Sequence, residues 1–144
     1  MSAPDWASTG AAMRGSCLCG GVRFEVTAPF DRVAHCHCTS CKRLAGGGGT
    51  TSGIVPSAAV RILEGQELLR TYQPPDGRAK TFCSSCGSNL FGAGWPESDV
   101  AAVRLTAIDS GNDRMPGAHI FVRSVAAWET LPEDGLPRFD ARAS

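Results

Sequence analysis

The sequence predicts a mainly β domain of packed antiparallel sheets, and three observations carry that prediction. Short apolar–polar alternations of period two recur along the chain, as in Val22-Arg23-Phe24-Glu25-Val26. Turn-forming residues separate them at close intervals, drawn from 17 Gly and 9 Pro in 144 residues. Seven cysteines fall in three tight clusters, and such clusters can pin sheets together.

Taken in order, residues 1–13 read as a flexible N-terminal tail, 14–139 as one domain and 140–144 as a C-terminal tail, with fraying expected from Arg138 onward. The first strand is Val22–Val26, bounded by Gly20-Gly21 and Pro29. Val33–Cys38 is a second extended stretch. Thr39–Ala45 can form a short helix capped by Thr39 or Ser40, ended by the run Gly46-Gly47-Gly48-Gly49. Further strands are expected at Thr51–Val55, Val60–Leu63, Leu68–Tyr72, Ala79–Phe82, Asn89–Phe91, Val100–Ala107 and His119–Val122. Pro56, Glu64-Gly65, Pro74-Pro75-Asp76-Gly77, Gly94-Trp95-Pro96 and Gly111-Asn112-Asp113 supply the turns between them.

Bulk properties exclude several function classes. The composition is 42% hydrophobic and 19% charged, with a formal net charge of zero and no block of five or more Lys/Arg. Nucleic-acid binding through clustered cations is therefore not expected. No apolar run reaches the roughly 18 residues of a membrane span. Met1–Ala12 has neither a cationic start nor an apolar core, so it does not read as a signal peptide. A reducing, cytoplasmic setting is expected, where lasting disulfides are rare, and the odd cysteine count also suits metal better than bridges. A homo-oligomer is compatible with the sequence.

The cysteines are Cys17 and Cys19, then Cys36, Cys38 and Cys41, then Cys83 and Cys86. Residues i and i+2 of a strand share a face, so Cys17 and Cys19 are expected to aim at one ion while Leu18 points into the core. Cys83-Ser84-Ser85-Cys86-Gly87 is the other common half-site, two thiolates flanking a tight turn. The count divides into one four-sulfur and one three-sulfur zinc site. Spacing allows Cys17, Cys19, Cys83 and Cys86 to form the four, leaving Cys36, Cys38 and Cys41. It equally allows Cys17, Cys19, Cys36 and Cys38, leaving Cys41, Cys83 and Cys86. By strand periodicity His35 and His37 point away from Cys36 and Cys38, so they read as strand histidines satisfied by backbone or water. His119 is a looser choice of fourth ligand.

A zinc with three thiolates keeps an open position and a net charge near −1. Such an ion is a weak activator of water but suits an incoming thiol, which coordination deprotonates. A thiolate attacks an aldehyde carbonyl readily, and the reverse step breaks a carbon–sulfur bond. Lys42 and Arg43, directly after Cys41, are candidates for a substrate's carboxylates or else solvated surface cations. Gly46–Gly49 lacks the phosphate-loop pattern and reads as a ligand contact or a flexible linker. No Ser/His/Asp triad or paired-carboxylate pattern stands out. Asp109, Asp113, Glu133 and Asp134 read as solubilising, and Trp95 and Trp128 as core or rim aromatics.

The order of motifs resembles the glutathione-dependent formaldehyde-activating enzyme family, whose domain is shared with centromere protein V. The resemblance rests on Gly15–Phe24, His35–Arg43, Thr81–Leu90 and the stretch Pro116–Val122 with Trp128 and Leu136-Pro137. It implies a β-tent (Mss-like) fold of antiparallel sheets. It implies a structural zinc on Cys17, Cys19, Cys83 and Cys86, and a second, more labile zinc on Cys36, Cys38 and Cys41. Glutathione is then the co-substrate and the reaction that of a carbon–sulfur lyase, S-hydroxymethylglutathione synthase-like, with small thiol and aldehyde substrates. The rival expectation is a non-catalytic zinc-stabilised module that binds proteins. A third is a zinc enzyme acting on an unrelated substrate.

Overall fold

The structure is a computed structural model, and it describes residues 12–143. The described chain divides into two compact units. One holds the residues up to Asp31 together with Gly53–Arg114, and the other holds Arg32–Ser52 together with the chain from Met115. Both are built mainly of short strands, and the helix Thr39–Ala45, here α1, is the α-helix among the described residues.

In the first unit, β1 (Met13–Ser16), β2 (Arg23–Val26), β5 (Val60–Glu64) and β10 (Ile108–Ser110) form a four-stranded sheet in the order β10-β1-β2-β5. β1 pairs antiparallel with β2, Met13 opposite Val26 and Gly15 opposite Phe24. Met13, inside the expected tail, thus opens a central strand and is only 1% exposed. Nothing in Met-Arg-Gly-Ser marks a strand. It becomes one because β2 and β10 supply partners on both sides. Residues 1–11 and 144 of the expected tails lie outside the described residues.

A second run in this unit is antiparallel from β9 (Val100–Arg104) through β8 (Asn89–Gly92) and β7 (Lys80–Cys83) to β6 (Leu69–Tyr72). The expected strand Val100–Ala107 breaks at Leu105–Ala107, a 3-10 turn, before β10. Between the sheets, Phe24 meets Phe91 edge-on at 4.9 Å, and Phe91 meets Trp95 at 4.5 Å. Trp95 is therefore a core aromatic, whereas Trp128 is 74% exposed. Glu25, buried on β2, keeps its charge satisfied by Arg61 at 3.0 Å and Arg14 at 3.6 Å.

The second unit is organised around β3 (Arg32–Cys36). β11 (His119–Ile120) pairs with it in parallel, placing His119 beside His35 and Ile120 beside Cys36. β4 (Thr50–Pro56) flanks β3 on its other side and continues into the first unit, where it neighbours β9. The expected fraying beyond Arg138 is corrected here. Phe139 donates its N–H to the His119 carbonyl at 2.9 Å, and the Ala141 carbonyl accepts from Phe121 at 2.9 Å. Backbone pairing holds a segment whose side chains give no strand signal.

Candidate metal centre

Among the described residues, two groups of metal-ligating side chains converge: Cys17, Cys19, Cys83 and Cys86, and Cys36, Cys38 and Cys41. Within each group the sulfurs all lie within 4.8 Å of one another. The four-sulfur group is the first of the two groupings that spacing allows.

The four sulfurs fit a tetrahedral ion. Zinc–sulfur bonds of about 2.3 Å set neighbouring sulfurs about 3.8 Å apart. Cys17 and Cys19 lie at 3.5 Å, and Cys19 and Cys83 at 3.9 Å. The half-site is not a strand, however. β1 ends at Ser16, and Gly20 N–H closes a turn onto the Cys17 carbonyl at 3.0 Å. The alternation on which Leu18 was to face inward ends with the strand, and Leu18 is 86% exposed. The Val22 N–H reaches the Cys17 sulfur at 3.2 Å, and the Ser88 hydroxyl lies 3.2 Å from the Cys86 sulfur. The Ser88 contact, outweighing burial, holds the Cys86 thiol down at about 5, while burial pushes Cys83 up to about 11.

The three-sulfur group is built where β3 runs into α1. Cys36 ends the strand, Cys38 is the N-cap and Cys41 lies in the first turn, buried. The cap is therefore Cys38 rather than Thr39 or Ser40, since its sulfur accepts the Cys41 N–H at 3.3 Å. One residue orients a helix and joins the cluster, which fixes its rotamer. Contacts with Cys38 and Cys41, followed by burial, push the Cys36 thiol well up. A soft cation relieves that crowding by replacing the protons, and an all-sulfur donor set suits zinc.

The glycine run is fitted rather than loose. Gly46 closes α1 in the left-handed region at φ 68°, its N–H bonded to the Lys42 carbonyl at 2.9 Å. A Cβ at Gly49 would overlap the Cys36 carbonyl, and one at Gly48 would overlap the Glu129 carboxylate. At Gly47 nothing lies within 4 Å, and the structure gives no reason for glycine there.

Behind β3 three histidines stack. The ring of His119 lies 4.8 Å from that of His35 and 5.1 Å from that of His37. His119 does not join the three-sulfur group. Its Nδ1 meets His37 Nε2 at 2.9 Å, and its Nε2 meets Asp134 Oδ2 at 2.8 Å. The carboxylate can only accept, so His119 carries a proton on Nε2. His35 Nδ1 lies 2.7 Å from the Thr51 hydroxyl, and His37 Nδ1 3.3 Å from the Gly48 carbonyl. Burial holds His35 and His37 below the usual imidazole value, so both are neutral at pH 7. The bond from His119 holds the Asp134 carboxyl below its usual value. Asp134 is thus a partner of a buried histidine and not merely solubilising. No local pattern signals it.

Lys42 turns its ammonium to the Ser124 carbonyl, tying α1 to the turn Val122–Ser124. Arg43 is exposed one residue on.

Residues 12–124 match the family described as glutathione-dependent formaldehyde-activating enzyme. The chain belongs to that family. A Halomonas elongata protein named "Putative glutathione-dependent formaldehyde-activating enzyme" is 35% identical over 128 residues, 81% of this chain and 78% of its own. A crystal structure of a Rhodobacter sphaeroides protein shares the fold with a TM-score of 0.57 and 24% identity, over 70% of this chain and 92% of that one. All seven cysteines of the chain fall into the two groups described above.

Proposed function

We propose that this chain is a zinc-dependent, carbon–sulfur lyase-type enzyme on a β-tent fold, joining glutathione or another small thiol to formaldehyde or a related aldehyde. The observation that carries this reading is the Cys36, Cys38 and Cys41 group, three sulfurs within 4.8 Å of one another in a chain of this family. Three protein donors leave a tetrahedral ion one open position. When bound, the ion supplies positive charge that keeps an incoming thiol ionised at neutral pH.

The residues divide the work. Cys36, Cys38 and Cys41 would hold that ion, positioned by the end of β3 and the start of α1. Cys17, Cys19, Cys83 and Cys86 would hold a structural zinc. Lys42 and Arg43 would steady the carboxylates of glutathione, the Lys42 ammonium keeping donors beyond the one given to Ser124. In the reaction the thiol sulfur adds to the carbonyl carbon, the carbonyl electron pair moves to oxygen, and oxygen gains the proton the thiol lost. Nothing is oxidised or reduced. The reverse step breaks the new carbon–sulfur bond. The seven free thiols suit a reducing, cytoplasmic setting.

The test is exchange spectroscopy on formaldehyde and glutathione, with and without protein carrying two zinc ions. Faster formation and breakdown of the hydroxymethyl adduct is expected with the loaded protein and not with Cys38→Ser. Unchanged exchange rates with both sites loaded would sink the reading.

A further inference from the structure

We propose that Glu129 receives the ammonium group of the thiol substrate, so that the site selects thiols carrying a free amine. This rests on the thiol reading above and deepens it. Glu129 follows the exposed Trp128, and its N–H is bonded to the Ala126 carbonyl at 2.9 Å. Its carboxylate points both oxygens at Gly48, so closely that a methyl group there would overlap them. Oxygen Oε2 is buried and has no hydrogen-bond donor. Native structures rarely leave a buried acceptor of this kind unmatched, and a ligand is one standard explanation.

The position relative to the cysteine group fits a small peptide thiol. Gly49, next to Gly48, abuts the Cys36 carbonyl and the His37 Cα. Successive Cα atoms lie about 3.8 Å apart, which puts the carboxylate within about 10 Å of the Cys36 backbone. A three-residue extended peptide spans about 10 Å. A thiol at the cysteine group thus leaves its amino end within reach of Glu129. The charge also matches. A carboxylate already partly stripped of water gains more from an arriving ammonium than a solvated one does.

Calorimetric titration of the zinc-loaded protein tests this with two ligands. One is glutathione, and the other is glutaryl-cysteinyl-glycine, the same molecule without its amino group. The wild type is expected to bind glutathione about 10-fold more tightly, the scale of one charge-assisted hydrogen bond. Glu129→Gln should level the two affinities by weakening glutathione alone. Gly48→Ala, whose methyl displaces the flexible end of Glu129 rather than backbone, should do the same with an unchanged melting temperature. Equal affinities in the wild type, or equal weakening of both ligands by Glu129→Gln, would overturn the assignment while leaving the thiol reading intact. Binding of neither ligand would overturn both.

Discussion

Asp134 Oδ2 accepts a hydrogen bond from His119 Nε2 at 2.8 Å, and through that bond a surface carboxylate sets the tautomer of a histidine that is 2% exposed. The His119 Nδ1 in turn meets His37 Nε2 at 2.9 Å, and His37 lies between two of the cysteines. Protein groups behind presumed metal ligands commonly fix their orientation, and here the chain of contacts ends at a loop carboxylate.

A pH dependence follows from the depressed Asp134 carboxyl. Its folded value lies below its unfolded one, so it contributes stability above the unfolded value. That contribution is lost as pH falls through the folded one, a window at and below about pH 4. Asp134→Asn should flatten the fall in urea midpoint between pH 5 and pH 3 relative to wild type. Parallel curves for the two proteins would show that the bond contributes nothing.

The two cysteine groups should respond oppositely to substitution. Cys83→Ser removes a sulfur from the four-sulfur site, and structural zinc contributes roughly 10–16 kcal/mol of apparent folding energy in small peptides. That is comparable to the stability of a whole domain, so loss of cooperative unfolding is expected by circular dichroism. Cys38→Ser should keep the fold, because serine is itself a favoured N-cap and can accept the Cys41 N–H. Loss of one metal equivalent with a melting temperature close to wild type is the expected result.

Metal removal should proceed in two stages. Chelation is expected to strip one ion, the one on Cys36, Cys38 and Cys41, without changing the far-ultraviolet spectrum. Removing the second should coincide with unfolding. Simultaneous loss of both ions, followed by metal-indicator absorbance, would contradict separate roles for the two groups.

The glycine run should be graded rather than uniform. Gly47→Ala meets open space and is expected to change stability by less than about 0.5 kcal/mol. Gly49→Ala drives a methyl into the Cys36 carbonyl at a φ of 153°, and a loss of about 2–3 kcal/mol is expected. Denaturant midpoints measure both, and similar values would contradict the fitted-loop description.

Leu18→Ala distinguishes the turn from the expected strand. An exposed leucine should cost less than about 0.5 kcal/mol, whereas a core leucine costs about 2–5 kcal/mol. Thermal unfolding of the metal-loaded variant decides between them.

Legibility in the sequence followed contact range. Helix α1 stands at Thr39–Ala45 as expected, because its stop signal, the glycine run, adjoins it in the chain. Strands β4, β5, β7 and β8 lie within a residue or so of their expected bounds for the same local reason. β1 was invisible, since Met13–Ser16 has no alternation of its own and exists only by pairing with β2 and β10.

Sulfur spacing of two or three residues brings each cysteine to its neighbour whatever the rest of the chain does, so the amino-acid order alone determined that thiols would gather in small clusters. Tertiary structure decided what surrounds them. His37 and His119 are 82 residues apart and meet because β11 lies parallel to β3, while Asp134 arrives from a loop and Glu129 settles on Gly48. Periodicity records which face of an element is buried, but it does not record which distant element covers that face. A backbone pairing between remote segments therefore placed the histidine line.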